Sequence, residues 1–162
     1  CARVDNVIVT RTLSKAFGLA SVRFGYCIAH ASIIDALGAV KNHKSVTTLA
    51  QTLALHVFQN HEYMVNYTKE VRELKKIDRF AGINSFPTFI GGGNFFLIYL
   101  GERLKEIIEI LKTEGIYIRD LSHLDSMNGY ARVTTLSYSM MLKLDDVLGR
   151  IAENYCKTTR LK

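Results

Sequence analysis

Cysteine and histidine are too scattered in this sequence to form a recognisable site. The three cysteines, Cys1, Cys27 and Cys156, are an odd number without close spacing, so they define neither a disulfide framework nor a metal-binding motif. This pattern predicts a reducing, cytoplasmic compartment. The five histidines are equally dispersed, and even His56 and His61 are spaced so that they do not share a helical face well. We therefore predict no metal site.

The sequence also lacks long apolar runs and clustered basic residues. No apolar run approaches the ~20 residues that a membrane-spanning helix needs, and no signal peptide precedes the first predicted strand. The net charge is +6, but the basic residues are dispersed and no ladder of aromatic and basic side chains is present. We therefore predict neither a membrane nor a nucleic-acid partner. Because the chain begins with Cys1 and enters a buried strand almost at once, we expect that an N-terminal part is missing.

The sequence contains a single proline, and one long segment contains no residue that would be expected to interrupt a helix. Residues 45–77 contain neither proline nor glycine, and apolar residues recur there at three-four spacing, which predicts one very long helix, with or without a kink. Thirty or so residues would span roughly 45–50 Å, more than a small domain needs, so we expect this helix to bridge two lobes. Pro87, the only proline, ends the helical pattern, and the smaller lobe is expected to begin near it.

The remaining elements are predicted from hydrophobic periodicity and turn residues. We predict strands at residues 6–10, 23–29, 94–100, 116–118 and 131–136. We predict helices at residues 32–40, with Ser32 as a cap, at 102–114 with Gly115 as the stop, and at 140–155. Glycines 91–93 precede a strand, whereas a phosphate-binding loop follows one, so they are expected to form a turn. Strands alternating with helices favour an α/β fold.

One polar turn combines the groups that a phosphorylated carbonyl compound needs. Thr12, Ser14 and Lys15 follow the first predicted strand, and Arg23 lies eight positions after the lysine. Short hydroxyls, backbone N–H groups and a guanidinium can bind a phosphate together. We expect Lys15 to be partly desolvated and close to the charge of Arg23, which would favour the neutral amine that attacks carbonyl carbons. Pyridoxal phosphate fits both features; the alternative is an ordinary exposed loop lysine.

Three segments carry a family resemblance. The run TLSKAFGLASVRFGY, residues 12–26, resembles the cofactor-lysine segment of fold-type-I pyridoxal-phosphate aminotransferases, most closely the histidinol-phosphate aminotransferase family. Residues 45–51, SVTTLAQ, are similar to that family's segment opening the long helix after the lysine, and residues 93–97, GNFFL, to its small-domain strand. Arg119 and Arg132 stand thirteen residues apart, as the family's two substrate-binding arginines do.

The resemblance implies a fold, a cofactor and residue roles. The implied fold is α/β, the C-terminal part of a fold-type-I aminotransferase. Residues 1–44 would end the large three-layer α/β/α domain, residues 45–78 would form the long interdomain helix, and residues 79–162 would form a small α+β domain. Lys15 would be the catalytic Schiff-base lysine, with Thr12, Ser14 and Arg23 on the phosphate of pyridoxal 5'-phosphate. Arg132 would bind the substrate carboxylate or its equivalent, and Arg119 the substrate phosphate.

The implied reaction exchanges an amino group between a phosphorylated amine or amino acid and 2-oxoglutarate or glutamate, in a homodimer. The family's remaining cofactor contacts would lie before residue 1, so we do not expect this chain alone to turn over. Two alternatives stay open. A related decarboxylase of phosphorylated amino acids would use the same lysine and arginines, and a degenerate relative would keep the fold for dimerisation or regulation.

Overall fold

In a computed structural model, the chain divides into two compact units, Cys1–Thr68 and Lys69–Lys162. The structure describes residues 3–42 and 45–159, with side chains described as far as residue 155. Cys1, His43 and Lys44, and the side chain of Cys156, therefore lie outside the described part. The predicted domain boundaries at residues 44 and 78 stay a prediction.

The first unit is built on two antiparallel strands that flank the polar turn. Strand β1 (Ile8–Thr12) pairs with β2 (Gly25–Ala29), and the register places Thr12 opposite Gly25. Both strands lie within two residues of their predicted positions. Leu13 follows β1 and is fully buried with Ala54 and Val57. This small core anchors the base of the turn.

Two helices lie wholly within this unit, and the cap predicted for the first of them is wrong. Helix α1 (Ala31–Val40) is capped by His30, whose Nδ1 accepts the backbone N–H of Ser32 at 3.4 Å. Ser32 was expected in this role, but its hydroxyl lies 2.9 Å from the same Nδ1. Helix α2 (Thr48–Gln59) begins at Thr47, whose hydroxyl accepts the Ala50 N–H at 3.1 Å.

The segment predicted as one long helix is helical on both sides of a break at Asn60 and His61, so it forms two helices. Helix α2 ends at Gln59 and helix α3 (Glu62–Leu74) begins three residues later. Asn60 caps α2 with its backbone N–H and with Nδ2, which donates to the His56 carbonyl at 2.9 Å. At Asn60 the backbone leaves the helical region, with a φ of −117° and a ψ of 46°. The break therefore needs neither glycine nor proline.

The second unit is a four-stranded antiparallel sheet with helices on one face. The sheet order is β3-β4-β6-β5, with strands β3 (Thr88–Ile90), β4 (Phe95–Tyr99), β5 (Arg119–Asp120) and β6 (Tyr130–Thr134). The helices are α4 (Ala81–Asn84), α5 (Leu104–Thr113) and α6 (Tyr138–Thr159). The buried faces of β4, β6, α5 and α6 form one core, which includes Phe96, Ile98, Ile107, Leu111, Val133 and Leu148. No helix in the described ranges is long and apolar enough to cross a lipid bilayer.

Several predictions for this unit are confirmed, and the predicted position of one strand is wrong. The predicted α5 face is buried, and Gly115 follows the helix with a φ of +74°, a conformation that glycine adopts at low cost. Residues 116–118 do not form the predicted strand, which instead begins at Arg119. The glycines at 91–93 form the predicted turn, which joins β3 to β4; Lys75 Nζ donates to the Gly93 carbonyl at 2.7 Å and to the Gly91 carbonyl.

Candidate active site

The turn after β1 is fixed by its own backbone and presents polar side chains outward. Thr12 Oγ1 donates to Ser14 Oγ at 3.0 Å and accepts the Ser14 N–H at 3.1 Å. The Gly18 N–H bonds the Lys15 carbonyl at 2.9 Å, and the Leu19 N–H bonds the Leu13 carbonyl at 3.0 Å. Residues 13–19 therefore form one closed loop with Leu13 buried beneath it.

Lys15 lies at the outer side of this loop and is exposed, so the expectation that it is partly desolvated is wrong for the described chain. The reason is local. The apolar neighbours Leu13 and Phe17 turn into the core of the unit, and the residue between them on the loop is left facing outward. The lysine amine is accessible to a small molecule in this arrangement.

Arg23 ends the same segment in a left-handed conformation. It caps a short 3-10 turn, Ala20–Val22, with a φ of 53° and ψ of 42°, and its Nη1 donates to the Ala20 carbonyl at 3.2 Å. A non-glycine residue in this conformation costs about 1–2 kcal/mol. Such outliers concentrate at ligand-binding sites. Arg23 is exposed, with further N–H donors on its guanidinium.

The donor set of this segment fits pyridoxal phosphate. Thr12 and Ser14 supply hydroxyls, Arg23 a guanidinium and Lys15 an accessible amine, all within a twelve-residue stretch. Gly18 has a φ of +69°, and a Cβ there would meet nothing within 4 Å, so the backbone of the loop is open to a ligand. These groups match the charge of a phosphate and the reactivity of an aldehyde.

The two predicted substrate arginines are direct neighbours across the sheet of the second unit. Arg119 on β5 is the register partner of Arg132 on β6, so both side chains leave the same face of the sheet. The Cζ of Arg132 lies 5.4 Å from the centre of the Phe95 ring. Within the described residues, neither arginine forms an ion pair.

Asp120 lies beside Arg119 in sequence but faces the other side of the sheet, because side chains alternate along a strand. The backbone N–H of Ser122 donates to Asp120 Oδ1 at 2.7 Å, and this hydrogen bond lowers the pKa of Asp120 from its usual value. The carboxylate is therefore engaged in the local loop and does not neutralise the arginine pair.

An aromatic cluster that was not predicted from the sequence supports the loop of residues 13–19, which we call the lysine loop. The Phe17 ring packs edge-on against Phe58 at 5.8 Å and Tyr63 at 6.2 Å, and Phe58 packs edge-on against Tyr26 at 5.5 Å. Tyr63 also donates a hydrogen bond from its hydroxyl to the Phe17 carbonyl at 3.2 Å. The only sequence signal was the aromatic pair at 58 and 63, and an unbroken helix there would separate the two side chains.

Two other features do not contribute to the candidate site. A groove of about 1050 Å³ in the first unit is lined by β1, β2, α1 and residues 45–51, and none of the predicted site residues lines it. Among the described residues, no group of three or more histidine, cysteine, aspartate or glutamate side chains is placed to hold a metal ion.

Solved structures share this fold over nearly the whole chain. The histidinol-phosphate aminotransferase of Sinorhizobium meliloti, in complex with pyridoxal-5'-phosphate, matches with a TM-score of 0.74 at 24% identity, covering 93% of this chain and 42% of that one. The corresponding enzyme of Clostridium acetobutylicum matches with a TM-score of 0.78 at 20% identity, covering 94% and 47%. The fold is thus the α/β fold of the C-terminal part of fold-type-I pyridoxal-phosphate aminotransferases, as predicted.

The family follows from the sequence. The model of the family "Aminotransferase class I and II" matches residues 1–150, and the chain belongs to this family, which uses pyridoxal phosphate. A dihydroxyacetone phosphate transaminase of Campylobacter jejuni is 38% identical over 130 residues, 76% of this chain and 35% of the relative. A histidinol-phosphate aminotransferase of a Thermoanaerobacter species is 34% identical over 137 residues, 82% and 38%. The chain thus spans somewhat over a third of the length of these relatives.

Proposed function

We propose that this chain supplies the cofactor lysine and the substrate arginines of a pyridoxal-phosphate-dependent aminotransferase. The amino group would pass between a phosphorylated amine or amino acid and 2-oxoglutarate or glutamate. The observation that carries the proposal is the loop of residues 13–19, which holds an accessible lysine amine next to two hydroxyls on a closed, anchored backbone. Homodimer formation and a cytoplasmic location belong to the same proposal.

Each residue of the lysine segment has a proposed role. Thr12, Ser14 and Arg23 hold the cofactor phosphate, the hydroxyls as hydrogen-bond donors and the guanidinium as a charged fork. Bound pyridoxal phosphate supplies an aldehyde that accepts an amine and a ring that withdraws electrons from the substrate Cα. Lys15 Nζ would hold the cofactor through its aldehyde carbon, and the same amine would serve as the base for the proton at the substrate Cα.

The substrate class is inferred from the arginine pair and from the relatives. Dihydroxyacetone phosphate and histidinol phosphate, named in two similar proteins, both carry a phosphate. Arg119 and Arg132 place two guanidinium groups on one face of the sheet. Such forks bind phosphate and carboxylate bidentately. We assign the substrate phosphate to Arg119 and the carboxylate, or its equivalent, to Arg132.

A decarboxylase of phosphorylated amino acids is the second candidate. A decarboxylase from Sulfurospirillum multivorans shares the fold with a TM-score of 0.71 at 26% identity, covering 91% of this chain and 44% of that one. The same lysine and arginines serve either reaction. Product analysis with phosphorylated amines and amino acids separates the two, because transamination converts 2-oxoglutarate to glutamate and decarboxylation releases carbon dioxide.

The decisive test of Lys15 is chemical labelling in the protein that carries this chain. Addition of pyridoxal phosphate, reduction with borohydride and peptide mapping should place the pyridoxyl group on Lys15. Lys15→Ala should remove that label and the absorbance of the bound cofactor near the edge of the visible range, whereas the exposed control Lys41→Ala should keep both. A label on Lys41 or Lys44 instead of Lys15 would overturn the proposal, and no bound cofactor would favour the non-catalytic relative.

A further inference from the structure

The break between α2 and α3 brings two aromatic side chains onto one ring. Phe58 lies before the break and Tyr63 after it, five positions apart. In an unbroken helix they would point about 140° apart, since each residue turns the helix by about 100°. Both nevertheless pack edge-on against Phe17. We call Phe17, Phe58 and Tyr63 the aromatic clamp.

The aromatic clamp is attached to the lysine loop by more than ring packing. Tyr63 donates its hydroxyl to the Phe17 carbonyl at 3.2 Å, across 46 positions of sequence. Phe17 follows Lys15 by two residues, and the adjacent Gly18 N–H bonds the Lys15 carbonyl. The backbone that carries Lys15 is therefore tied to α3 through a single side chain.

The loop is thus held on both sides of the lysine. Before Lys15, the fully buried Leu13 packs with Ala54 and Val57 of α2. After Lys15, Phe17 packs against the other two rings of the aromatic clamp, and Phe58 also packs against Tyr26 of β2. An exposed lysine has many side-chain rotamers, so its reach toward a given atom depends on how narrowly its backbone is fixed. Small displacements of a reacting group lower rates steeply.

We propose that Tyr63 is a positioning residue for Lys15, acting through the Phe17 carbonyl to fix the direction in which the lysine amine is presented. This inference rests on the proposed function, in which Lys15 is the amine that holds the cofactor. Tyr63 touches neither cofactor nor substrate in this role. It sets the rate and selectivity with which Lys15, among the lysines of the chain, meets the cofactor aldehyde.

Competition between lysines within one molecule tests the proposal. The protein is incubated briefly with limiting pyridoxal phosphate and reduced with borohydride, and the ratio of label on Lys15 to label on Lys41 is measured by peptide mass spectrometry. Tyr63→Phe keeps the ring and removes the hydroxyl, and should lower this ratio about threefold to tenfold, the range for one lost hydrogen bond. General destabilisation would not single out Lys15.

Tyr67→Phe is the matched control. Tyr67 lies one helical turn further along α3, and no hydrogen bond joins its hydroxyl to another described residue. Its replacement should leave the ratio unchanged. Tyr63→Leu, which also removes the ring packing, should lower the ratio further; if it fails to fold, Tyr63→Phe alone decides.

The outcomes separate this inference from the function on which it rests. Preferential labelling of Lys15 in the wild type with an unchanged ratio in Tyr63→Phe would overturn the positioning role and leave the proposed function standing. A wild type in which Lys15 is not preferred over Lys41 would overturn both. An equal fall in Tyr63→Phe and Tyr67→Phe would show that tyrosine hydroxyls on α3 act without the Phe17 contact, which also overturns the inference.

Discussion

At the scale of single residues, the pair Arg119 and Arg132 places two positive charges side by side without a neutralising ion pair among the described residues. Like charges directly opposite each other in an antiparallel sheet are destabilising. Arg119 and Arg132 are opposed in this way, and the neighbouring Asp120 faces the other side of the sheet. An anion bound between them would remove the repulsion. The pairing therefore favours the substrate-binding role that the resemblance implies.

Charge-conserving changes at the two arginines should separate their roles, because lysine lacks the planar fork of arginine. Arg119→Lys should slow the half-reaction of a phosphorylated amine more than that of glutamate. Arg132→Lys should slow both, because the proposed role of Arg132 is to bind the carboxylate, or its equivalent, of either substrate. Each lost charged hydrogen bond should cost about 1.5–3 kcal/mol of transition-state stabilisation. Single-turnover kinetics of the two half-reactions measure the difference.

A stability measurement is the control for this prediction. Arg119→Gln removes one of two opposed like charges, so its midpoint of thermal unfolding should stay unchanged or rise. Equal losses on both substrates in both lysine variants, together with a lower unfolding midpoint for Arg119→Gln, would show that the arginines only hold the sheet together.

At the scale of elements, close backbone contact between α4 and α6 fixes the helical layer of the second unit. A Cβ on Gly82 would lie 1.9 Å from the Asp145 carbonyl oxygen and 2.6 Å from the Gly149 nitrogen, both backbone atoms. Asp145 Oδ1 also accepts the Ile83 N–H at 2.8 Å. The two helices can approach this closely only because residue 82 has no side chain.

Gly82→Ala should therefore destabilise the protein strongly. Overpacking of a well-packed core costs about 1–3 kcal/mol, and we expect the upper end because rigid backbone must move. Chemical denaturation measures the free energy of unfolding. Gly149→Ala is the control: its Cβ would lie 3.6 Å from the Gly82 Cα, an ordinary contact, and alanine favours the helix. A destabilisation as large as that of Gly82→Ala would contradict the close-contact interpretation.

At the scale of the whole molecule, the two units differ in the size of their cores. The buried core of the first unit consists of Leu13, Ala54 and Val57, with four partly buried aromatic or aliphatic residues around it. The core of the second unit joins the sheet to α4, α5 and α6. Local stability follows buried apolar contact, so the two units should open with different free energies.

Hydrogen exchange should show this difference in the isolated chain. Amides in β4 and β6 should exchange about a hundredfold more slowly than those in β1 and β2, because more buried surface must open to release them. Mass spectrometry of peptides from each strand measures the rates. Equal protection in the two sheets would show that the units unfold as one cooperative structure.

The family segments and the periodic helices were predictable because their signals are local. Residues 12–26 carry the family motif in one continuous run, and Leu104, Ile107, Ile108 and Leu111 define the buried face of α5 by spacing alone. The break at Asn60 was not predictable from glycine or proline. The backbone leaves the helical region at Asn60, with a φ of −117° and a ψ of 46°.

The sequence by itself determined the family and the α/β fold, because both depend on residue type and short-range order, and it supplied the residues to which the proposed chemistry is assigned. Tertiary structure decided how those residues are presented. It left Lys15 exposed by drawing Leu13 and Phe17 inward, set Arg119 opposite Arg132, and brought Phe58 and Tyr63 onto one ring. These arrangements depend on contacts between residues far apart in the chain, and such contacts leave no periodic signal in a single sequence.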